Sequence, residues 1–184
     1  PGTVPIGGLA GTVLSVADLA ALELVAVAVS GHGGPGDVTD GVAGRLVGLA
    51  ITIDPTVGGA DTITAGIGSD WVLGGAGGDT ITTNNGETPT TPGASDIVVA
   101  DHGFVDTVLL DGDPTDLDRI WSTDPALGGA DTVTTGAGDD IVLGGPAGDT
   151  VATGDGRNIV LGDNGRVTAY ATGTQRWGGS AIML

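Results

Sequence analysis

Aspartates recur along this chain at intervals of nine residues. Two series of this kind occur, one in the first half of the chain and one in the second. The eight positions are Asp61, Asp70, Asp79, Asp96, Asp131, Asp140, Asp149 and Asn158. A series of carboxylate oxygens is suited to binding hard cations. Because the chain has no Cys and only two His, thiolate metal sites and cysteine nucleophiles are excluded and zinc is disfavoured.

Each of these positions lies in a nine-residue unit that predicts a turn followed by a short strand. A β-branched residue lies two positions later in every unit, at Ile63, Val72, Ile81, Val98, Val133, Val142, Val151 and Val160. Glycine lies two positions earlier in six units, at Gly59, Gly68, Gly77, Gly129, Gly138 and Gly156. Glycine favours tight turns, whereas Thr and β-branched residues favour strands. Nine residues should therefore form half a coil and eighteen a full coil.

A longer repeat arranges these units in two blocks. Residues 51–86 align with 121–156, and the segment Gly-Gly-Ala-Asp-Thr begins intact at both Gly58 and Gly128. Residues 95–103 then match 157–165, after an insert at 87–94 that only the first block contains. Because the insert is rich in Pro and Thr, we expect an exposed loop there.

Stacked coils would bring these carboxylates close together, since neighbouring strands lie about 4.7–4.9 Å apart. The expected vertical pairs are Asp61 with Asp79, Asp131 with Asp149, Asp140 with Asn158 and, if the insert loops out, Asp70 with Asp96. Two carboxylates at this distance repel by roughly 1 kcal/mol in water and more in a less polar medium. A dication between turns would reverse the sign, and calcium fits best because it accepts carboxylate and carbonyl oxygens in flexible geometry. The alternative is that each Asp bonds only to the backbone of its own turn.

The units resemble the RTX nonapeptide repeat, G-G-x-G-x-D-x-U-x, most clearly at residues 74–82, 135–143 and 144–152. The resemblance covers roughly residues 51–167, with a gap at the insert and a divergent stretch at 104–120. It implies an all-β fold, a parallel β-roll or β-solenoid with calcium ions between Gly-Asp turns. It also implies Ca²⁺ as the cofactor, with the seven aspartates above as ligands and Asn158 as a weaker, neutral ligand.

The charge of the chain excludes several classes of partner. A formal net charge of −18 repels nucleic acid and anionic membrane surfaces. The longest apolar stretch, residues 12–29, is interrupted by Asp18 and Glu23, which argues against membrane insertion. The expected partners are therefore calcium ions and possible further copies of this chain, with no nucleic acid and no inserted membrane segment.

The repeats predict five segments. Residues 1–50 form an irregular N-terminal capping region with a possible short helix after Ser15, where a capping box occurs. Residues 51–103 form the first repeat block, 104–120 an acidic connecting loop, 121–168 the second block and 169–184 a tail. The acidic run 111–118 is interpreted as an exposed loop, with an accessory calcium site as the alternative.

We expect no enzymatic activity. Ser95, Asp101 and His102 contain the groups of a hydrolase triad, but they fall within eight residues and lack a nucleophile elbow. The predicted function is that of a calcium-binding structural module of a secreted or cell-surface repeat protein, such as an adhesin, surface layer or filament. The alternative is a calcium-triggered folding and secretion domain attached to an enzyme or toxin outside this chain. An ice- or sugar-binding face made of threonines is a third, weaker interpretation.

Overall fold

The computed structural model describes residues 3–5, 13–15, 48–88, 90, 93–107, 109 and 116–168. Within them every regular element is a β-strand, which confirms the prediction of an all-β fold. In chain order the strands are β1 (Thr3–Pro5), β2 (Val13–Ser15), β3 (Leu49–Ile51), β4 (Thr62–Thr64), β5 (Trp71–Leu73), β6 (Thr80–Thr82), β7 (Ile97–Val99), β8 (Gly103–Asp106), β9 (Arg119–Ser122), β10 (Thr132–Thr134), β11 (Ile141–Leu143), β12 (Thr150–Ala152), β13 (Ile159–Leu161) and β14 (Arg166–Thr168). The helix predicted after Ser15 lies outside the described residues, and none of those described forms a helix able to cross a membrane.

Two parallel sheets form the roll. The first sheet contains β4, β6, β10 and β12, and the second contains β5, β7, β11 and β13. Equivalent residues of successive coils pair directly, as Thr62 does with Thr80, and Thr80 with Thr132. We number the coils 1 to 4 by their strand pairs β4–β5, β6–β7, β10–β11 and β12–β13. Parallel sheets stacked in this order are consistent with the β-roll that the repeats predict.

The two repeat blocks stack as one roll. Strand β6 of the first block pairs with β10 of the second, and β7 pairs with β11. The parallel ladder therefore continues across a gap of fifty-two residues between Thr80 and Thr132 as if no residues intervened. Pairing across that gap buries the strand edges that two separate blocks would leave exposed.

A third, antiparallel sheet packs beside the roll, in the strand order β14-β9-β8-β3. The segment 104–120, interpreted from sequence as an acidic connecting loop, begins in β8 and ends in β9, and these two strands pair with each other. Its buried Asp106 forms an ion pair of 2.7 Å with Arg119. The apolar residues at both ends of this segment explain the difference, because Phe104, Val105 and Ile120 are all buried.

The three sheets enclose two apolar cores. The first core lies between the two parallel sheets. It contains five of the eight predicted inward residues, which are buried, and two more that are partly buried and pack against it: Val72, Ile81, Val98, Val133 and Val142, then Ile63 and Val151. The eighth, Val160, is 45% exposed in the last coil. The second core lies between the second and third sheets and contains Ile97, Val99, Val105, Leu117, Ile120, Ile141 and Leu143. It exists because strands of the second sheet carry apolar residues on both faces, whereas those of the first sheet carry Thr on the outer face.

One ladder turn places an alanine in a backbone conformation that favours glycine. The residue two positions before the ladder position has a positive φ of 132° at Gly77, 143° at Gly138 and 141° at Gly156. The equivalent residue before Asp149 is Ala147, at a φ of 91°. A side chain is unfavourable in this conformation, so this turn is strained.

Candidate metal centres

The eight predicted site residues are brought together in two vertical ladders. The first ladder precedes the strands of the first sheet and consists of Asp61, Asp79, Asp131 and Asp149; the second precedes the strands of the second sheet and consists of Asp70, Asp96, Asp140 and Asn158. The pairs expected from the spacing all stack. They include Asp70 with Asp96, which pair across the insert as expected. The structure adds two pairings, Asp79 with Asp131 and Asp96 with Asp140, which join the two blocks.

Each ladder is held together by one oxygen of every side chain. In the first ladder, the Oδ1 atoms of Asp79, Asp131 and Asp149 accept hydrogen bonds of 2.7–2.9 Å from the backbone N–H of the ladder residue one coil earlier. In the second ladder, Asp96, Asp140 and Asn158 do the same at 2.9–3.0 Å. These bonds join successive coils, so they differ from the bonds within a single turn that the alternative interpretation requires. These hydrogen bonds involve only the Oδ1 atom of each side chain, so the partner of the Oδ2 atom has to be considered separately.

Three of the four aspartates of the first ladder have a buried Oδ2 atom without a hydrogen-bond partner. This holds for Asp79, Asp131 and Asp149, whose Oδ2 atoms are all buried, and it also holds for Asp70 in the second ladder. A buried carboxylate oxygen without a partner costs about 1–3 kcal/mol or more. Four such atoms at equivalent positions in one small protein indicate that these oxygens have a ligand the polypeptide itself does not supply.

In two members of the second ladder, the Oδ2 atom accepts a hydrogen bond from a threonine hydroxyl group. Thr83 Oγ1 donates to Asp96 Oδ2, and Thr135 Oγ1 donates to Asp140 Oδ2, both at 2.6 Å. Thr135 lies five residues before Asp140, and Thr83 has the same place in its turn once the insert is removed. The corresponding residue before Asp79 is Gly74 and before Asp149 is Gly144, neither of which can donate from a side chain. In these four units the first residue thus decides whether the second carboxylate oxygen has a partner.

Burial makes the ionised state of these carboxylates unfavourable. Loss of hydration is the largest cause and raises the pKa of Asp96 and of Asp131 to about 6, and repulsion from neighbouring ladder carboxylates adds to the effect in both. The pKa values of Asp79 and Asp140 are raised in the same direction, again mainly by burial. A cation bound among these groups would offset both the lost hydration and the mutual repulsion.

Asp101 is a further carboxylate of the first ladder that the sequence reasoning did not identify. From the sequence, Asp101 is considered with Ser95 and His102 as a possible hydrolase triad. Asp101 is fully buried, its Oδ1 accepts a hydrogen bond of 3.0 Å from the N–H of Gly129, and its Oδ2 has no partner. Burial raises the pKa of Asp101 to about 7, opposed by that hydrogen bond, with further increases from the charges of Asp131, Asp149 and Asp79. The signal in the sequence is an acid directly after an apolar strand, at a place where the pattern has glycine.

Backbone carbonyl oxygens converge with these carboxylates at the glycines that open the turns. Asp79 Oδ2 and the carbonyl oxygen of Ala100 both border the position that a Cβ on Gly74 would occupy. Asp149 Oδ2 and the carbonyl oxygen of Gly162 border the same position at Gly144. A side chain at either glycine would fill the space between the two oxygens, which explains why these positions are glycine.

This donor set fits calcium. Among the described residues, no three side chains of His, Cys, Asp or Glu are close enough to hold a metal ion by themselves. An ion between the turns would therefore need carbonyl oxygens as well as carboxylates, which is the mixed oxygen coordination that Ca²⁺ accepts and that zinc does not favour. The unpartnered Oδ2 atoms and the adjacent carbonyls of the glycine turns supply both kinds of oxygen.

The groups of the imagined hydrolase triad have separate partners. Ser95 Oγ accepts a hydrogen bond from the N–H of Asp139, whereas His102 Nε2 lies 3.1 Å from the carbonyl oxygen of Pro55. Asp101 is engaged with Gly129, as described above. The three side chains therefore form no catalytic arrangement. Of the acidic run 111–118, residues 111–115 lie outside the described part of the chain, so the accessory calcium site suggested there stays a prediction.

Comparison with known proteins identifies the repeats. The protein family described as RTX calcium-binding nonapeptide repeat (4 copies) matches residues 56–87 and 126–151. The matched residues include the first three ladder aspartates of each block, while Asp96 and Asn158 fall outside them. No curated protein and no solved structure matches the chain significantly. The resemblance inferred from the nine-residue pattern is thereby confirmed.

Proposed function

We infer that this chain, whose residues 56–87 and 126–151 are RTX nonapeptide repeats, is a calcium-loaded structural module. RTX nonapeptide repeats bind Ca²⁺, and such a repeat is a structural rather than a catalytic unit. We assign the ligands to the two ladders: Asp61, Asp70, Asp79, Asp96, Asp131, Asp140, Asp149 and, more weakly, Asn158. The observation that carries this proposal is the row of buried, unpartnered Oδ2 atoms in the first ladder.

Each ladder side chain has two separate tasks in this proposal. Its Oδ1 ties one coil to the preceding one through a backbone N–H, a contact that exists without metal. Its Oδ2 and the nearby turn carbonyls provide the oxygens for an ion, whose positive charge neutralises the stacked carboxylates when it is bound. The first task sets the spacing of the coils and the second stabilises that spacing against repulsion.

Folding should depend on calcium. The chain has a net charge of −18, many glycines that favour the unfolded state entropically, and short strands of three or four residues. Charge repulsion opposes compaction when no cation is bound. Because the complete ligand set exists only when the coils are stacked, the free energy of calcium binding contributes to folding.

The test is a calcium titration of chelated protein followed by far-UV circular dichroism, with magnesium as the control. We expect a cooperative gain of β-structure with calcium and little change with magnesium. The variant Asp79→Asn should require more calcium for the same gain, whereas Asp163→Asn, which removes the same charge at an exposed position, should behave as the wild type. A complete β-spectrum in chelator that calcium leaves unchanged would overturn the proposal.

We further propose that the module belongs to a secreted or cell-surface protein of the adhesin, surface-layer or filament type. RTX repeats occur in secreted bacterial proteins, and the continuous stacking of the two blocks suits a rod that lengthens by adding coils. Strands β4 and β5 at one end, and β12 and β13 at the other, have no parallel partner on their outer side among the described residues. Open strand edges can pair with another molecule, and a head-to-tail contact of this type generates filaments.

Self-association is tested by sedimentation velocity and electron microscopy at increasing protein concentration in calcium. We expect elongated oligomers, and the variant Val160→Lys should reduce them because it places a charge at the half-exposed inward position of coil 4. Compact monomers at every concentration would remove self-association from the proposal and leave calcium binding untouched.

A further inference from the structure

We propose that Asp101, which lies outside the nonapeptide pattern, is an additional calcium ligand that makes the first ladder the tight-binding edge of the roll. This inference rests on the proposed function, because it assumes that calcium binds between the turns. The inference goes beyond the proposed function in two ways. It assigns a ligand at the point where the chain leaves the roll, and it predicts which of the two ladders binds calcium more tightly.

The location of Asp101 is determined by the stacking of the coils. It follows β7 at the position that Gly75 occupies after β5 and Gly145 after β11. Its carboxylate borders the positions that a Cβ would take on Gly128 and on Gly145. The side chain therefore projects into the space between the turns of coils 2 and 3, in which those two glycines leave room for it.

The charges around Asp101 point to a cation. Its neighbours in the first ladder are Asp79, Asp131 and Asp149, each of which disfavours ionisation of Asp101. All four of these side chains have a buried Oδ2 without a partner. The arginines of the described residues contact other groups: Arg119 pairs with Asp106, Arg157 with Asp139, and Arg166 lies over the ring of Trp121. No described side chain thus compensates this cluster of negative charge.

At the opposite edge of the roll, two ladder carboxylates already have partners for their Oδ2 atoms, whereas Asp70 Oδ2 and Glu87 Oε1 have none. Thr83 and Thr135 donate to the Oδ2 atoms of Asp96 and Asp140. In addition, Glu87 from the insert reaches into this edge, where its Oε2 accepts a hydrogen bond of 2.9 Å from the N–H of Ala137. An ion here would have to compete with two hydroxyl donors, and fewer aspartate Oδ2 atoms are free for it than at the first ladder, so the second ladder should bind calcium more weakly than the first.

The distinguishing variant is Asp101→Asn. The asparagine keeps an oxygen that can accept from the N–H of Gly129, so the structural role of the side chain is retained, while the charge and the unpartnered Oδ2 are removed. The matched control is Asp163→Asn, because Asp163 aligns with Asp101 in the second block and is exposed. Both variants change the net charge by the same amount.

Calcium binding to the full chain is measured by titration calorimetry in competition with a chelator, and the bound ions are counted by native mass spectrometry. We expect Asp101→Asn to weaken the tightest site by about tenfold or more, since calcium affinity depends on the number of charged ligands. Asp163→Asn should stay within about twofold of the wild type. In chelator, Asp101→Asn should raise the midpoint of urea unfolding, because a buried negative charge is lost without loss of a hydrogen bond.

The outcomes separate the two proposals. If the wild type takes up no calcium, the proposed function fails. If the wild type binds calcium and Asp101→Asn binds it with the same affinity and stoichiometry, only the assignment of Asp101 is wrong. A lower urea midpoint of Asp101→Asn in chelator would also overturn the assignment, because it would show that the ionised side chain stabilises the metal-free fold.

Discussion

Acid should replace calcium in stabilising the roll. The perturbation is a change of pH from 8 to 5.5 in the presence of chelator, a range that stays above the isoelectric point of about 4.1. The folded-state pKa of Asp101 lies above its ordinary value of 3.8, at about 7, and those of Asp96 and Asp131 lie at about 6. Between the ordinary and the raised value the folded state binds more protons than the unfolded state. The free energy of unfolding therefore falls as the pH rises through this interval.

Asp101 sets the size of the effect. Its pKa differs between the two states by about three pH units, and each unit corresponds to about 1.4 kcal/mol, so ionising this one carboxylate costs about 4 kcal/mol. The contributions of Asp96 and Asp131 do not simply add, because protonating one carboxylate relieves the repulsion on its neighbours. Only the part of this interval between pH 5.5 and about 7, roughly 1.5 pH units, is crossed in the experiment, so Asp101 accounts for a loss of about 2 kcal/mol there. A loss of about 2 kcal/mol is a large fraction of the stability of many small domains, and chelated protein should thus be clearly more stable at pH 5.5 than at pH 8.

The assay is urea unfolding in chelator at closely spaced pH values, followed by circular dichroism. Most of the decline should lie between pH 5.5 and 7, and it should be smaller by about 2 kcal/mol in Asp101→Asn but unchanged in Asp163→Asn. With calcium present the trend should reverse, since protons and calcium compete for the same oxygens. A wild-type stability in chelator that stays constant or rises towards pH 8 would refute the reasoning.

Three substitutions test the framework around the ladders by urea unfolding in saturating calcium. Ala147→Gly should stabilise the protein by about 1 kcal/mol, because it relieves a side chain at a φ of 91°; no gain would mean that the turn is unstrained. Ile81→Ala should cost about 2–5 kcal/mol, since Ile81 is fully buried between the parallel sheets. Arg119→Ala should cost about 3 kcal/mol because it removes the guanidinium that pairs with buried Asp106, whereas Arg157→Ala, from an exposed pair, should cost under about 1 kcal/mol. Equal losses in the two arginine variants would contradict this account.

The two ladders could be predicted from the sequence because the residues that define each turn and strand lie close together along the chain. A turn that needs glycine, an Asp at its end and a β-branched residue two positions later recur every nine residues, so one unit implies the geometry of the next. Strand positions and the vertical pairing of Asp61 with Asp79 follow from that period alone. The calcium preference follows equally from the residue types, since an oxygen-only donor set excludes softer metals.

Differences between the two edges were also present in the sequence, although they were not recognised there. The residue that opens the unit is Gly74 or Gly144 before two members of the first ladder, and Thr135 before a member of the second. Its hydroxyl satisfies the carboxylate only because the turn brings the two groups to 2.6 Å. Likewise, strands of the second sheet are apolar on both faces, a pattern typical of a sheet covered on both sides.

What the sequence by itself determined is the repeating part of this protein: the coil, its inward aliphatic residues and the two series of oxygen ligands. Only the tertiary structure decided the joining of the blocks through β6 and β10, the covering of the second sheet by β8 and β9, and the burial of Asp101 beside the first ladder. The physical reason is the range of the interactions. A period of nine residues encodes contacts between neighbouring coils. The pairing of β6 with β10 instead joins residues fifty-two positions apart, and the other two features involve segments that depart from the period, for which no local pattern exists.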